Sequence, residues 1–476
     1  MANSSFKDPP EIEQIYHDLL PVPNPTRSFW THGTPDVNPL AREGSLGQLT
    51  PEADVCIIGS GITGVSAAYH LANTNIPLNV VILEARDFCQ SYFTYWILRL
   101  LIGQLTGSGA TGRNGGHLAP NLFSGFRSRR DLHGEADAVK SYILEQHTTS
   151  SILSFIERHN LSQAVDLVHG GNHCLFFAQS EEESARADYQ AAIEAGWNPD
   201  EHIRWLDAKQ MNEIYGTPYP SRETSYAHNL SPIKLVTQLY RQTSASASLN
   251  LTLHTHTPVL SIKKTSQAGR KWSLDTPRGQ ISCSTVIHAT NAYGSQLVPS
   301  LSSVVVPTRG QVIAAETTAT DPDSVRLPEA GSWAGNDGFE YWFPRPNSTT
   351  IILGGGREAS SDGEYNLVDD SVVNPRVGGT LRSFLPRAFP AIKLEVKVTM
   401  EWTGIMGFTK SGNPIVGKIA DGQFISLGYN GHGMPLAYGC AEALAGMIAA
   451  ELQDKKWDMP AWFPKHYLIQ RHDGDI

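Results

Sequence analysis

Residues 55–64 read Val55-Cys-Ile-Ile-Gly59-Ser-Gly61-Ile-Thr-Gly64. A short apolar run without polar alternation is the pattern of a strand buried on both faces in a parallel sheet. Gly59, Gly61 and Gly64 then follow at GxGxxG spacing and open a helical pattern with Val65, Ala68 and Leu71 or Ala72 on one face. Each glycine has its own steric task. Gly59 permits a tight turn, Gly61 lets backbone approach a pyrophosphate, and Gly64 lets the helix pack on the strand. The helix start at Ile62 and Thr63 offers N–H groups and a dipole end to phosphate, worth about 0.3–1 kcal/mol per charge. Asn79–Leu83 reads as the next strand and runs into Glu84, Ala85 and Arg86. Glu84 lies 25 positions beyond Gly59, where a carboxylate can accept ribose hydroxyls. The expected fold class is α/β, with a doubly wound Rossmann-like nucleotide domain. Glycine spacing alone does not separate FAD from NAD.

A second glycine turn stands near the other end of the chain. Residues 428–434 read Gly428-Tyr-Asn-Gly431-His432-Gly433-Met434. They precede a helical pattern over Met434–Leu452 that carries Ala437, Ala441, Leu444, Ala445 and Ile448, with Pro435 suited to its first turn. Such a helix start, aimed at the edge of a flavin, favours the negative charge that reduction creates there. FAD is long enough to touch both turns.

A chain of 476 residues can fold as two intertwined domains. The net charge of -10 and the lack of a basic stripe argue against a nucleic-acid surface. The cysteines Cys56, Cys89, Cys174, Cys283 and Cys440 show no CxxC and read as buried free thiols of a reducing compartment. With no signal-peptide pattern and no integral membrane segment, the expected location is cytoplasmic. No metal site is expected.

Further motifs occur in a fixed order: Ala110-Thr-Gly-Arg113-Asn114-Gly115-Gly116-His117, Val286-Ile-His-Ala289-Thr290-Asn291-Ala-Tyr293, Arg309-Gly-Gln311, and Glu401-Trp402-Thr-Gly-Ile-Met-Gly-Phe408. With Gly428–Met434 they resemble the D-amino-acid oxidase-like superfamily of FAD oxidoreductases. The resemblance is strongest to the gamma-glutamylputrescine oxidase and glycine/sarcosine oxidase branch. It runs from about residue 28 to 452, and the Pro-rich arm with Ser28-Phe29-Trp30 shares in it. It implies an interleaved α+β substrate domain built on an antiparallel sheet, and FAD contacts at Arg113, Asn114, Gly115, Gly116, Val259, Ala289, Thr290, Asn291, Gly431, His432, Gly433 and Met434. Gly115 and Gly116 also have a reading of their own, as bare backbone against a flat isoalloxazine ring or as a loop that needs positive φ.

The resemblance implies oxidation of a C–N bond in an amine or amino acid, with hydride passing to flavin N5 and an imine as product. The partners are then a small-molecule substrate and oxygen or another electron acceptor. His117, Tyr341, Trp402 and His432 are the candidate catalytic residues, with Trp342 as a further pocket residue; core packing is the alternative for each aromatic. Arg345 and Arg357 can clamp a carboxylate, although a surface location is the more usual fate. Two departures stand out. The covalent-flavin cysteine of sarcosine oxidases falls on Met406, so non-covalent FAD is expected. Their oxygen-activating lysine falls on Ile351 or Ile352, which leaves room for a dehydrogenase. A tailoring oxidoreductase of secondary metabolism and a catalytically inactive paralogue are the other readings.

Between Cys89 and Ser108 the family pattern is interrupted by residues 90–107, which include Tyr92-Phe-Thr-Tyr-Trp-Ile-Leu-Arg99-Leu-Leu-Ile102. That run is too short and too broken by Arg99 to span a bilayer, which needs about 20 residues. The clean join on either side reads as translated intron, against a partner- or membrane-binding loop. The expected division is an arm over 1–49, a FAD domain over 50–165, 225–305 and 398–452, a substrate domain over 166–224 and 306–397, and a tail over 453–476.

Overall fold

The computed structural model describes residues 20–22, 24–31, 37–89, 110–199, 203–319, 331–346 and 348–469. The interruption at 90–107 lies outside the described residues. At its edges, a Cβ built on Gly112 would fall 2.0 Å from the Cys89 carbonyl oxygen, so Cys89 and Gly112 are spatial neighbours.

The strand Glu52–Ile58 lies at the centre of the first sheet. It runs parallel to Leu78–Leu83 on one side and to Gly279–His288 on the other. Leu249–His254 and Gln423–Leu427 extend this parallel core outward. The apolar run is continuous because both faces are covered. Val55, Ile57, Val80 and Ile82 enter one core cluster, while Cys56, Ile58, Val81 and Leu83 enter another. The helix Ile62–Ala72 covers the first face, with Val65, Ala68 and Leu71 fully buried. The strands Leu249–His254 and Ser261–Lys264 are separated by Pro258, which cannot donate to a ladder.

The second sheet has the order Leu394–Thr409, Val305–Ala319, Thr350–Gly354, Glu340–Pro344, Ser332–Gly335, Asn172–Leu175, Ser221–Thr224, Arg204–Leu206. Its pairs are antiparallel except Ser332–Gly335 with Asn172–Leu175. The helix Pro375–Ala388 packs Val377, Leu381 and Phe384 on one face, against Trp333, Trp342 and Leu353. The expected boundary at residue 398 falls inside Leu394–Thr409, a strand that pairs with Val305–Ala319 along its whole length. Hydrogen bonding therefore assigns all of it to the second sheet.

A small three-stranded sheet joins His117–Leu118, His228–Asn229 and Val168–His169. Two terminal segments are more than wrapping. In the arm, Ser28 and Trp30 are buried. After the helix Ala437–Leu452 the chain doubles back and buries Phe463 and Tyr467, and Ile469 N–H donates to Val416 O (3.0 Å). Among the described residues no helix is long and apolar enough to cross a membrane. The five cysteines are all free thiols.

Candidate functional site

The first turn is built for close backbone approach. Gly59 has φ +109°, and a Cβ there would lie 2.7 Å from the Ala289 carbonyl oxygen. A Cβ on Gly64 would lie 2.0 Å from the Gly59 oxygen, so this glycine is what brings helix and strand together. Gly61 caps the helix Ile62–Ala72 without a side-chain bond, and no acid stands in the first turn. Such a helix start suits an anion. Ile62 N–H donates to Thr111 Oγ1 (3.1 Å), which brings the 110–116 segment against the turn.

Glu84 closes the turn from below. Its carboxylate accepts from Ser60 N–H (3.0 Å), Ser60 Oγ (2.7 Å) and Arg86 N–H (3.0 Å). Burial pushes its carboxyl pKa up against the hydrogen bonds that hold it down. With about four acceptor positions on a carboxylate, one stays available to a ribose hydroxyl. Val259 lies buried with Ile58 and Leu83 near the ends of the two strands, and half-buried Ala85 follows Glu84. At the end of Gly279–His288, Ala289 N–H donates to Ile58 O (3.0 Å), and the buried Thr290 Oγ1 has no protein partner. This hydroxyl lies 3.5 Å from a Cβ built on Gly294, and a buried hydroxyl without a partner is open to a ligand.

Arg86 and Arg113 differ from expectation. Arg86 grips Asp370 through two hydrogen bonds of 3.2 Å, and Arg113 Nε stands 3.5 Å from the same carboxylate. Arg113 also donates to Thr403 O (2.5 Å) and Thr26 O (2.5 Å), and burial pulls its pKa down to about 10. Buried guanidinium groups need carboxylate and carbonyl partners, and these two meet that need by tying the loop to the second sheet. The structure makes them braces rather than open cofactor contacts.

The glycines of the loop are also occupied on one side. A Cβ on Gly115 would strike the Tyr341 ring at 2.4 Å, and one on Gly116 (φ +78°) would strike Trp30 at 2.8 Å. The absent side chains make room for these two protein rings on the Cβ side. Asn114 holds the bend, its Oδ1 accepting from Gly116 N–H (2.8 Å).

The second turn meets the first directly. Thr63 Oγ1 donates to Tyr429 OH (3.2 Å), which also contacts Ser426 Oγ (2.7 Å). Gly428 N–H donates to Asn291 Oδ1 (3.0 Å), and Thr409 N–H to Asn430 Oδ1 (2.7 Å). Asn291 and Asn430 thus clip the second turn to two other segments, the one after Gly279–His288 and the strand Leu394–Thr409. The helix begins at Ala437, so Met434, Pro435 and Leu436 extend the turn rather than start the helix. Gly433 keeps its Cβ direction open to 3.6 Å, and Met406 Sδ lies 3.5 Å from a Cβ built on Gly431.

The candidate catalytic residues separate into two groups. His117 lies edge-on to Tyr341 and Phe343 (5.2 and 5.3 Å), with ring nitrogens facing Gly115 O (3.1 Å) and Trp342 O (3.3 Å). Burial pulls its pKa down to about 4 despite those carbonyls, so it is neutral at pH 7. Burial pushes Tyr341 up to about 12, and its phenol stays protonated. His432 Nε2 pairs with Glu145 at 3.0 Å, joining an exposed imidazole to a buried carboxylate. Trp402, by contrast, is fully buried, and its indole N–H donates to Arg113 O (2.7 Å). It is a core residue, as is Trp342 on the opposite strand face from Tyr341. Arg345 pairs with Asp166 (2.7 Å) and Arg357 stacks over Phe408 (4.8 Å).

Three residues escaped the sequence reading. Thr111 had no visible signal. Glu145 did, since it is an acid on the buried stripe Ala138, Tyr142, Glu145, Thr149, Ile152 of the helix Glu135–Arg158. Asn229 is fully buried with neither amide atom paired, directly across from His117 in the small sheet.

Comparison with known proteins agrees with this geometry. A family model described as FAD dependent oxidoreductase (DAO) matches residues 54–447. A probable oxidoreductase OrdL of Rhizobium meliloti is 26% identical over 400 residues, 83% of this chain and 82% of that protein. The gamma-glutamylputrescine oxidoreductase of Escherichia coli is 26% identical over 414 residues, 84% of this chain and 83% of that protein. The crystal structure of glycine oxidase from Geobacillus kaustophilus has a similar fold, with TM-score 0.64 and 18% identity, covering 89% of this chain and 100% of that one.

Proposed function

Because the chain belongs to the family of FAD-dependent oxidoreductases matched over residues 54–447, we propose that it oxidises a C–N bond of a small amine or amino acid. The neutral amine loses a hydride from carbon (two electrons and one proton) and a further proton from nitrogen, and water hydrolyses the resulting imine to a carbonyl compound and ammonia or a smaller amine. The observation that supports this reading is the hydrogen bond between Thr63 and Tyr429, which brings the two glycine turns together. The names of the relatives, one an amine oxidoreductase and one an amino-acid oxidase, favour the same substrate chemistry.

Gly61, Ile62, Thr63 and Gly64 are the residues we assign to the pyrophosphate, with Glu84, Val259, Ala289 and Thr290 toward the adenosine part. Gly431, His432, Gly433 and Met434 are assigned to the flavin end. FAD, when bound there, supplies the two-electron acceptor. Met406, where a thiol would be needed for a thioether link, supports non-covalent binding. The electron acceptor beyond FAD is oxygen or another carrier; Ile351 and Ile352, both buried, offer no lysine for oxygen.

The chain's own chemistry is deprotonation and positioning. A protonated amine has no lone pair to help expel hydride, so a base must neutralise it. His432 takes that proton, and the Glu145 carboxylate at 3.0 Å stabilises the imidazolium that forms. Neutral His117 keeps its ring aligned between carbonyls and shapes the wall with Tyr341.

The test is to reconstitute the purified protein with FAD and mix it anaerobically with a panel of amines and amino acids. A bound yellow chromophore bleached by one compound class is the expected result. A bound flavin that dithionite bleaches but no amine does would overturn the proposal, as would failure to take up FAD.

A further inference from the structure

The arm residues Thr26–Trp30 hold the 111–116 loop from outside. Ser28 Oγ donates to Gly112 O (2.7 Å), and Trp30 indole N–H donates to Asn114 O (2.5 Å). Thr26 accepts from Arg113 Nη2 on its carbonyl (2.5 Å) and its hydroxyl (2.6 Å). The indole edge fills the space that a side chain at Gly116 would need. The arm is itself anchored. Thr26 N–H donates to Asp370 O (2.7 Å), Thr403 N–H donates to Thr26 Oγ1 (2.8 Å), and Trp30 stacks on Phe343 with centroids 6.4 Å apart.

The loop is therefore two-sided. Its outward carbonyls, at Gly112 and Asn114, are bound by the arm, while Thr111 on its inner side receives Ile62 N–H from the phosphate turn. A buried carbonyl that loses its donor must find another partner or water, and this loop can do so only by changing shape. We infer that Ser28 and Trp30 are positioning residues of the cofactor site, setting the loop's shape and through it FAD affinity and the flavin's surroundings. The inference rests on the FAD reading above, and on hydrogen bonds rather than on burial alone.

The experiment measures FAD dissociation constants and visible spectra of full-length wild type, Ser28→Ala, Trp30→Phe and Trp30→Ala, with the thermal midpoint of each apoprotein. Trp30→Phe keeps an aromatic ring in the arm but removes the indole N–H and the part of the ring system that reaches Gly116. It is expected to weaken FAD binding about tenfold and to alter the shape of the bound-flavin band. Trp30→Ala is expected to weaken binding further, and Ser28→Ala several-fold. A second measurement uses wild type alone. Because coupling is reciprocal, saturating FAD must slow tryptic cleavage after the exposed Arg27. Wild-type affinity and band shape in Trp30→Phe would overturn the inference, as would a cleavage rate indifferent to FAD. If wild type itself takes up no FAD, the fault lies with the cofactor reading instead.

Discussion

Substituting Gly64 by alanine probes why the two turns can meet at all. The added methyl would sit 2.0 Å from the Gly59 carbonyl oxygen and 3.2 Å from Ile57 Cγ2. The first obstacle is backbone, so no side chain can swing away. Relief requires the helix Ile62–Ala72 to move outward by about 1 Å, away from a fully buried contact surface at Val65, Ala68 and Leu71. Overpacking typically costs about 1–3 kcal/mol, and an unyielding backbone clash belongs at the upper end. A loss of about 3 kcal/mol lowers the folded-to-unfolded ratio roughly 100-fold. Gly433 supplies the contrast, since its nearest atom is Tyr429 Cβ at 3.6 Å. Gly433→Ala should leave the apoprotein within about 0.5 kcal/mol of wild type yet weaken FAD binding. Urea unfolding of the apoproteins at constant slope reads the first effect, and FAD titration reads the second. A Gly64→Ala midpoint equal to wild type would refute the argument that this glycine sets the helix–strand distance.

Buried histidines should make the protein less stable as the pH falls below neutrality. His70, His117 and His288 are each held near 4 by burial, below the ordinary 6.5, so the native state binds fewer protons than the unfolded one between those values. Stability then falls as pH drops from about 6.5 toward 4, by up to roughly 3 kcal/mol at the fully buried His288; a urea midpoint no lower at pH 5 than at pH 7 contradicts this. His432→Gln should lower kcat/KM roughly 100-fold; an unchanged kcat/KM excludes His432 as the base. Trp402→Phe should cost about 1–3 kcal/mol of stability by orphaning Arg113 O, with the FAD spectrum preserved; a changed flavin band would return Trp402 to the site. Joining Cys89 directly to Ser108 should give a protein that binds FAD at least as well as the full chain, because Cys89 and Gly112 are already neighbours; the dominant transcript should lack those codons, and loss of FAD binding on deletion speaks against translated intron.

The nucleotide fold was legible because its rules are local. Glycine spacing, an unbroken apolar strand and an acid at the end of the next strand lie within 30 positions or so, and each has one steric explanation. The second turn was recognisable for the same reason. The partners of charged and aromatic groups were not local. Arg86 meets Asp370 across 284 positions, Trp30 meets Asn114 across 84, and His432 meets Glu145 across 287. No periodicity encodes such distances.

Residue chemistry along the chain determined that two backbone turns can approach a phosphate-bearing ligand, since a missing Cβ acts wherever the chain goes. Tertiary packing alone decided which arginines became braces, which tryptophan entered the core and which histidine acquired an acid. Those outcomes depend on what each side chain meets after folding, where burial makes every unpaired charge or donor costly.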